Sequence, residues 1–277
     1  MDKFYIVTNR LKDKDYQTTG EIKEYIEENG KECVVSEKDE NGHIVPGSVP
    51  QGMECALVLG GDGTMTRAAR ELAEYDIPLL GVNMGTLGYL TEVELPDYKE
   101  ALNFLFYNSP TVEERMMMEG EIPGRISHLA MNDIVITREG CLRVIHLNVY
   151  VNGELLNSYM ADGVIISTPT GTTGYNLSAG GPIVEPTSSM FVVTPICSHT
   201  LNTSSIVFSS GDTIEVSIGE GRYGRTESAS VAFDGVDMIP METGDRIVIR
   251  KAKCTTKLIK LSKKSFMEIL REKMKGN

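Results

Sequence analysis

A short apolar run that is followed at once by a cluster of glycines constrains this chain more than any other feature. Cys55 to Leu59 reads Cys-Ala-Leu-Val-Leu, and Gly60-Gly-Asp62-Gly-Thr64 follows directly. A short continuous apolar run is typical of a buried strand in a parallel sheet. The glycines permit a tight turn, after which Thr64 begins a helix that we predict to extend to about Tyr75. A strand, a turn and a helix in this order favour an α/β fold.

The rest of the N-terminal half repeats this alternation. Residues 3–8, Lys31 to Ser36 and Ile77 to Val82 are predicted strands, and a helix is predicted over about 14–29, ending at Gly30. We therefore predict a Rossmann-like, doubly wound α/β domain. Ligands of such sheets bind beyond the carboxyl ends of the strands, and Asp62 and Asn83 both follow a predicted strand.

The pattern changes after about residue 113, where segments of alternating apolar and polar residues take over. Val151-Asn-Gly-Glu154 is a strong hairpin signal, so this half is predicted to be an all-β layered domain. The stretch from Lys263 to Lys275 reads as a helix that could cover the first domain. The predicted domains are residues 1–113 with the terminal helix 263–277, and residues 114–262. The predicted strands are 129–137, 143–151, 155–159, 163–168, 190–195, 205–208, 212–218, 229–234 and 246–250.

Composition excludes several classes of function. The chain has 277 residues and a formal net charge of −12, which argues against nucleic acid or an anionic membrane as a partner. Five cysteines without a Cys-x-x-Cys pair and four histidines argue against a zinc site and favour free thiols in a reducing compartment. The first residues read as a strand rather than a signal peptide, and no apolar run could span a membrane, so a cytoplasmic protein is predicted.

The first glycine-rich segment predicts phosphoryl chemistry. Glycines at the start of a helix let backbone N–H groups approach phosphate oxygens, which makes Gly60, Gly61, Gly63 and Thr64 candidate phosphate-binding residues. Asp62 is a poor phosphate ligand unless a metal or a proton transfer is involved, so it is the candidate base or metal partner. The alternative is an ordinary tight turn with a capping threonine. No Gly-Lys-Ser/Thr follows, so this is not a Walker loop.

Three further segments carry candidate nucleotide contacts. Asn83 and Tyr89, in Asn83-Met-Gly-Thr-Leu-Gly-Tyr89, could bind a ribose or flank an adenine, or could belong to a turn between domains. Asn132 and Asp133 interrupt an apolar run and could bind a ribose diol, unless they form an Asx-turn or a bulge. The second glycine-rich segment, Thr168-Pro-Thr-Gly-Thr-Thr-Gly-Tyr175, is too long and polar for a plain connection, although a β-turn is the alternative. Its candidate substrate-binding residues are Thr170, Thr173, Gly174, Tyr175, Asn176, Leu177 and Ser178.

Two other segments have simpler interpretations. Met116-Met-Met118 is interpreted as core or interface packing, and His199 as a hydrogen-bonded loop residue rather than a catalytic one.

Taken together, these segments resemble the NAD kinase family. The matching features span about residues 55–235 in the family's order, and the second glycine-rich stretch is the most specific of them. They are Gly-Gly-Asp62-Gly-Thr, the segment from Asn83 to Leu90, Asn132-Asp133, Asp162-Gly, Ser167 to Tyr175 with Ser178 to Pro182, Pro195-Ile-Cys-x-His199-Thr-Leu, and Asp234-Gly235.

The resemblance implies transfer of the γ-phosphoryl group of ATP, or of polyphosphate, to the 2′-hydroxyl of the adenosine ribose of NAD, giving NADP. It implies Mg²⁺ carried by the donor phosphates, an N-terminal α/β domain, a β-rich domain whose last helix returns to the first, and a homodimer or homotetramer. Asp62 would be the base, Gly63 would contact substrate, and Asn132 and Asp133 would hold NAD with Arg143 as a nearby cation. Asp162 and the segment from Thr173 to Ser178 would hold the adenine and its ribose.

The chain departs from the family pattern at four places. Asp133 stands where Glu is common, Gly174 where Ala is usual, Val236 where Gln is frequent, and Ser204-Ser205 where Arg-Pro is frequent. Two rival functions stay open. One is a lipid or sugar kinase that shares the Gly-Gly-Asp-Gly-Thr loop, in which Asn132-Asp133 and residues 167–182 would have no role. The other is a non-catalytic sensor of NAD(H) or NADP(H), against which the intact Asp62 argues.

Overall fold

The computed structural model describes residues 1–85, 88–140, 143–199, 204–262 and 264–274. The chain divides into two compact units, Met1–Glu114 with Thr256–Asn277, and Arg115–Thr255. The functional domains predicted from the sequence, 1–113 with 263–277 and 114–262, stay a prediction. None of the described helices is both long enough and apolar enough to cross a membrane.

Unit 1 alternates strands and helices. Short 3₁₀ turns at Lys14–Tyr16, Ala73–Tyr75 and Leu95–Asp97 join some of its elements. In chain order the elements are β1 (Lys3–Thr8), α1 (Gln17–Glu28), β2 (Glu32–Val35), β3 (Cys55–Gly60), α2 (Asp62–Glu71), β4 (Leu79–Asn83), β5 (Val93–Glu94) and α3 (Tyr98–Tyr107).

The strands of unit 1 lie parallel in the order β2-β1-β3-β4, and β5 pairs with β4. Every residue of β3 is buried, as the continuous apolar run predicts. The chain leaves β1 to form β2 on one side and later returns to form β3 on the other. The strand order therefore reverses between the carboxyl ends of β1 and β3, which is where doubly wound sheets bind ligands.

Helix α1 is held by Asp13 at its first turn and packs into the core of the sheet through two isoleucines. The buried carboxylate of Asp13 accepts hydrogen bonds from the backbone N–H groups of Thr18 and Thr19, both at 2.9 Å, which satisfies free donors of the first turn. Ile22 and Ile26, one turn apart, are buried in the core of the sheet. The predicted helix over 14–29 is thus a 3₁₀ turn followed by α1.

Two helices of unit 1 differ from the sequence prediction. Helix α2 begins at Asp62 rather than at Thr64, because Gly61 is the extended N-cap residue and Asp62 is already helical. Helix α3 was not predicted, although its apolar face, including Leu102 and Leu105, is buried against the sheet.

Unit 2 is built almost entirely of strands. Besides a four-residue helix it contains a 3₁₀ turn at Thr170–Thr173. In chain order the elements are β6 (Thr111–Ile122), β7 (Ile126–Ala130), β8 (Asp133–Arg138), β9 (Ile145–Val151), β10 (Glu154–Ala161), β11 (Gly163–Ser167), α4 (Tyr175–Ser178), β12 (Met190–Ile196), β13 (Ile206–Ser209), β14 (Ile214–Ile218), β15 (Ser228–Phe233), β16 (Val236–Glu242) and β17 (Arg246–Lys260).

These strands form two antiparallel arrangements around one core. The first has the order β13-β12-β11-β8-β15-β16, and the second has the order β10-β9-β14-β17, with β6 pairing β17 and β7. Strands β9 and β14 alternate buried and partly exposed residues, as strands with one solvated face do. Side chains of both arrangements, among them Phe233, Ile247 and Met118, make up the core, which confirms the packing role predicted for Met116 to Met118.

The largest difference in unit 2 concerns the strand predicted over 129–137. It is two strands, β7 and β8. The break falls at Met131 and Asn132, whose backbone N–H groups donate hydrogen bonds to the Asp234 carboxylate rather than to a neighbouring strand. Strands β6 and β16 were not predicted, and β17 is longer than its predicted segment 246–250.

The C-terminal segment belongs to unit 1. The end of β17 pairs with β4 in parallel at Leu258 and Leu79, and α5 (Phe266–Met274) follows. Lys263 and Lys275, where the predicted helix begins and ends, lie outside the described residues. Within them the free cysteines are Cys33, Cys55, Cys197 and Cys254, and Cys141 lies outside.

We expect Leu57→Ala in β3 to lower the free energy of unfolding by ~2–5 kcal/mol, because it leaves a cavity in a packed core. Leu57 is 1% exposed, whereas Leu11 in the same unit is 88% exposed, so Leu11→Ala is the matched control. The measurement is urea unfolding followed by circular dichroism, since the chain has no tryptophan. Equal unfolding midpoints for the two variants would contradict the buried position of β3.

Candidate functional site

Unit 1 contains a cleft at the point where its strand order reverses. The cleft has a volume of about 710 Å³. The connection after β1 supplies Asn9, Arg10, Leu11 and Lys12, and the turn after β3 supplies residues from Gly61 to Thr64. The remaining lining residues are Lys38, Glu40, Asn41, Gly42, Arg67, Gly88 and Lys273. Five cationic side chains and two carboxylates line the cleft, so it suits an anionic ligand.

The Asp62 carboxylate lies in this cleft and is held by the next loop of the sheet. The backbone N–H of Tyr89 donates to Oδ2 at 2.7 Å, and that of Leu90 donates to Oδ1 at 3.0 Å. Asp62 is also the first residue of α2, where the helix dipole favours a negative charge. Each carboxylate oxygen retains a lone pair, so Asp62 is fixed in place and can still accept a proton.

Two glycines are needed for this arrangement. A Cβ atom at Gly88 would overlap the Asp62 carboxylate, and one at Gly60 would overlap the side chain of Thr64. Gly60 is itself buried at the end of β3, and its carbonyl accepts a hydrogen bond from the Met84 N–H at 2.8 Å. Gly60 therefore supports the turn, while Gly61 and Gly63 line the cleft.

Thr64 is connected to the other loop of the cleft. Asn9 Nδ2 donates to Thr64 Oγ1 at 3.3 Å, and the Thr64 backbone N–H donates to the Gly61 carbonyl at 2.9 Å. The backbone N–H that was predicted to bind phosphate is therefore engaged within the turn. The hydroxyl of Thr64 keeps its own proton as a donor toward the cleft.

Asn83 and Tyr89 have positioning contacts in the structure. Asn83 is 2% exposed, and its Nδ2 donates to the Gly85 carbonyl at 3.0 Å and to both carboxylate oxygens of Glu94. The ring of Tyr89 lies 5.0 Å from Lys273 Nζ, and burial followed by the charge of Asp62 raises the pKa of its phenol. Thr86 and Leu87 of this segment lie outside the described residues. The NAD contacts of Asn83 and Tyr89 stay a prediction.

In unit 2 a second carboxylate organises the Asn132–Asp133 turn. Asp234 accepts hydrogen bonds from three consecutive backbone N–H groups, those of Met131 at 2.9 Å, Asn132 at 2.7 Å and Asp133 at 3.1 Å. Asp234 has a positive φ of 52°, and Gly235 follows with 75°, so the Asp-Gly pair forms the turn that aims this carboxylate. The contact with Asp234, rather than the Asx-turn considered as an alternative, therefore determines the backbone conformation of Asn132 and Asp133.

Asp133 is buried beside that carboxylate, and this raises its pKa. It is 7% exposed, and burial, followed by the negative charge of Asp234, raises the pKa of Asp133 from 3.8 to about 7. Below that pH the neutral carboxyl group can donate a hydrogen bond as well as accept one. The side-chain amide of the half-buried Asn132 makes no hydrogen bond to any residue that the structure describes, so it is available to a ligand.

The second glycine-rich segment packs directly against this turn. The Thr168 hydroxyl donates to the Met131 carbonyl at 2.6 Å, and a Cβ atom at Gly171 would overlap the backbone of Asn132. Oδ2 of Asp133 lies 4.0 Å from the Cβ position of Gly174. The turn at Asn132 and Asp133 therefore lies next to residues 168–174.

The predicted contacts in this segment divide into a buried and an exposed set. Asn176 is fully buried, and its amide donates to the carbonyls of Thr172 and Pro182 and accepts from the Thr194 hydroxyl at 2.7 Å. Asn176 therefore holds the segment in shape. Thr170 is buried, with a hydroxyl that lacks a hydrogen-bond partner among the described residues. The residues that are at least partly accessible to a ligand are Thr173, Gly174, Tyr175, Leu177 and Ser178.

Asp162 lies away from the Asn132–Asp133 turn. Strands β8 and β11 are antiparallel, and their register pairs Asp133 with Ser167 and Thr137 with Gly163. Asp162 thus lies at the opposite end of this strand pair, ~15 Å from Asp133 at ~3.3 Å per residue. There it accepts a hydrogen bond from Arg138 Nε at 2.7 Å.

Arg138 is a residue of this region that the sequence does not predict, and Arg143 is the cation that the family resemblance implies near NAD. The Arg143 side chain is exposed and has no hydrogen bond or ion pair within the described part of the chain. The placement of Arg138 next to Asp162 follows from strand register, which spacing alone does not reveal. His199 is also exposed, and its backbone N–H donates a hydrogen bond to the Met160 carbonyl at 2.8 Å. Thr200 and Leu201 of its motif lie outside the described residues.

Comparison with known proteins identifies the family. The model of the ATP-NAD kinase N-terminal domain matches residues 37–109, and that of the ATP-NAD kinase C-terminal domain matches residues 131–261. The NAD kinase of Lachnoclostridium phytofermentans is 46% identical over 99% of both chains, and that of Agathobacter rectalis is 46% identical over 100% of this chain and 99% of its own. This chain therefore belongs to the ATP-NAD kinase family, which confirms the resemblance seen in the sequence.

Two solved structures share the fold. The crystal structure of yeast NADH kinase complexed with NADH superimposes with a TM-score of 0.88 at 21% identity, covering 100% of this chain and 88% of that one. An NAD kinase from Archaeoglobus fulgidus in complex with ATP gives a TM-score of 0.79 at 24% identity, covering 99% and 98%. The predicted fold class, an α/β domain followed by an all-β layered domain, is confirmed.

The raised pKa of Asp133 predicts a pH dependence of stability. The unfolded chain releases this proton near 3.8 and the folded chain near 7, so the free energy of unfolding falls as pH rises through this window and levels off above it. The shift corresponds to ~4 kcal/mol. We expect Asp133→Asn to remove this fall and to be more stable than wild type at pH 8. Urea unfolding by circular dichroism between pH 4 and 8 measures it.

The control for this experiment is Asp15→Asn, because Asp15 is exposed and Asn tolerates its positive φ of 58°. Asp15→Asn should follow the wild-type pH profile. Parallel profiles for wild type and Asp133→Asn would instead mean that Asp133 titrates as an ordinary carboxylate.

Proposed function

We propose that this chain is an NAD kinase that transfers the γ-phosphoryl group of ATP to the 2′-hydroxyl of the adenosine ribose of NAD, giving NADP and ADP. The observation that carries the proposal is the Asp62 carboxylate, fixed by two backbone N–H groups inside a cationic cleft at the switch point of a parallel sheet. Relatives of this chain are named NAD kinase, and two solved neighbours hold NADH and ATP.

Asp62 acts as the general base in this proposal. The 2′-hydroxyl must come within hydrogen-bond reach of its carboxylate, which takes up the proton as the oxygen attacks. The new bond joins the 2′-oxygen to the γ-phosphorus, and the bond from that phosphorus to the β–γ bridging oxygen breaks, with its electron pair leaving on ADP. Because Tyr89 and Leu90 fix both carboxylate oxygens, the base is oriented before substrate arrives.

The donor phosphates bind in the unit 1 cleft. Gly61, Gly63 and the Thr64 hydroxyl face them at the start of α2, where the helix dipole favours anions. Inorganic polyphosphate presents the same chemical groups as the ATP phosphates and stays the alternative donor.

A divalent cation, Mg²⁺ in our proposal, accompanies the donor phosphates. No cluster of three or more His, Cys, Asp or Glu that could hold a metal is present among the residues described. Besides the proposed base Asp62, the cleft contains the carboxylate of Glu40, and Mg²⁺ takes one or two protein carboxylates when phosphates supply further oxygens. The donor set of the cleft therefore fits a cation that offsets phosphate charge when bound.

The NAD molecule is assigned chiefly to unit 2. Ribose hydroxyls suit the carboxyl group of Asp133 and the side-chain amide of Asn132, which has no partner among the described residues. The exposed side of residues 173–178 suits the adenine and its ribose. We retain Asn83, Tyr89, Arg143, Asp162 and Thr170 as proposed contacts. Asn176 is proposed to act by holding the segment rather than by touching NAD, since its amide is fully hydrogen-bonded and buried.

Association and location are further proposals. Strand β13, at the edge of its sheet, exposes 48% of Val207, and β16, at the other edge, exposes 67% of Met238. Exposed apolar side chains on edge strands support association of this chain with further copies, as a homodimer or homotetramer. Free cysteines support a reducing, cytoplasmic location.

We expect Asp62→Asn to lower the rate of NADP formation by ~10²-fold or more, because the base is lost, while the NAD affinity stays nearly intact. The NH₂ group of the new Asn side chain would face one of the two backbone N–H groups, of Tyr89 or Leu90, so that N–H group would lose its hydrogen-bond acceptor. Turnover with Mg-ATP and with Mg-polyphosphate, and calorimetry with NAD, measure both effects. The control is Asp15→Asn.

Loss of NAD binding equal to the loss of rate would contradict the base role of Asp62. A wild-type chain that binds NAD tightly without turnover would support the sensor hypothesis. Phosphorylation of a lipid or sugar without NAD binding would support the rival kinase.

We expect Asn132→Ala to weaken NAD binding ~10-fold, because the ribose hydroxyls lose a hydrogen-bond partner worth ~1–3 kcal/mol. Asn157→Ala is the control, since the Asn157 side chain accepts from the neighbouring Ser158 N–H in strand β10. The Michaelis constant for NAD is the measurement. An unchanged constant in Asn132→Ala would remove this residue from the NAD site.

A further inference from the structure

Lys12 differs from the other cations of the cleft because its ammonium group has no partner among the residues that the structure describes. Lys38 Nζ donates to the Thr8 carbonyl at 2.6 Å, Arg67 Nε lies 3.4 Å from Glu71, and Lys273 lies over the ring of Tyr89. Arg10 is engaged by Tyr16. Over the described ranges 1–85, 88–140, 143–199, 204–262 and 264–274, Lys12 forms neither an ion pair nor a side-chain hydrogen bond.

The ammonium of Lys12 lies against two glycine turns at once. Its Nζ is 3.4 Å from the position that a Cβ would take at Gly61, and 2.8 Å from that position at Gly85. Gly61 follows β3 and Gly85 follows β4, so Lys12 lies beside the carboxyl ends of two neighbouring strands. A side chain at Gly85 would displace the ammonium, so that glycine keeps room for it.

The backbone that presents Lys12 is fixed to the same strand as the phosphate turn. The Asn9 N–H donates to the Leu59 carbonyl at 3.0 Å, and the Lys12 N–H donates to the Asn9 carbonyl at 3.0 Å. The Asn9 side chain reaches Thr64 Oγ1, as described above. The charge of Lys12 is thus carried on a short connection that cannot move away from the turn without breaking these hydrogen bonds.

We propose that Lys12 binds the terminal phosphate of the donor and neutralises the phosphoryl group that is transferred. This rests on the proposed function. The transferred group must lie beside Asp62, and Lys12 lies beside Gly61, the residue before it. An ammonium is a compact point charge suited to a phosphate, and positioned charge is the main contribution that proteins make to phosphoryl transfer.

The experiment compares Lys12→Met and Lys12→Arg with Lys14→Met, an exposed lysine of the same connection that does not line the cleft. Calorimetry with Mg-ATP and with Mg-ADP, in the absence of NAD, measures how much the terminal phosphate contributes to the binding affinity. Lys12→Met should bind ATP ~10- to 100-fold more weakly, as the loss of a charged hydrogen bond predicts. The affinity for ADP, which lacks the terminal phosphate, should change less than ~2-fold on the same conversion of energy to affinity. Lys12→Arg should recover part of the ATP affinity, and Lys14→Met should match wild type.

Turnover provides the second measurement. Lys12→Met should raise the KM for Mg-ATP and lower kcat, and it should leave the KM for NAD unchanged. Equal weakening of ATP and ADP, or the same change in Lys14→Met, would overturn the assignment of Lys12 to the terminal phosphate. If the wild type makes no NADP but its preference for ATP over ADP depends on Lys12, the proposed function fails and the donor-binding role of Lys12 stands.

Discussion

The hydrogen bonds from Tyr89 and Leu90 to Asp62 are the contact on which the unit 1 site depends. They connect the turn after β3 with the loop after β4, so two separate glycine segments become one rigid site. Gly88 can have no side chain because the carboxylate occupies that space. A carboxylate that is held by backbone N–H groups loses little freedom when a ligand binds, which is the advantage of a preorganised site. The same bonds make the position of the Asp62 carboxylate depend on the geometry of the loop after β4.

Unit 2 uses the same device for a different purpose. The Asp234 carboxylate accepts three backbone hydrogen bonds, ends strand β7 and sets the direction in which Asn132 and Asp133 leave it. The cost of this arrangement falls on Asp133, which is buried next to a charge of the same sign. A neutral Asp133 can donate a hydrogen bond, whereas an ionised Asp133 only accepts, so its protonation state determines which ligand groups can bind to it.

The sequence predicted those elements of the fold that depend on residues close together along the chain. The apolar run of β3, the glycine turn after it and the alternating strands of unit 2 follow from residues that are neighbours in sequence. The contacts that build the sites are distant: Asp62 and Tyr89 are 27 residues apart, and Asp234 and Asn132 are 102 apart. Sequence reasoning identified Asp62, Asn132 and Asp133 as unusual residues, but it could not see their partners. The contact between Arg138 and Asp162 was equally out of reach, because it depends on strand register.

The overall charge of the chain explains why the cleft needs so many cations. A protein of net charge −12 does not attract a triphosphate at long range, and salt screens exposed charges from one another beyond ~8–10 Å. Binding must therefore come from charges within direct contact distance of the phosphates. Most cations of the cleft are already engaged by a carbonyl, a carboxylate or a ring, so they lose part of their interaction with a ligand. Among the described residues the Lys12 ammonium lies beside the glycine turns of Gly61 and Gly85 and has no charged partner, so its charge is available to an anion at the carboxyl ends of β3 and β4, next to Asp62.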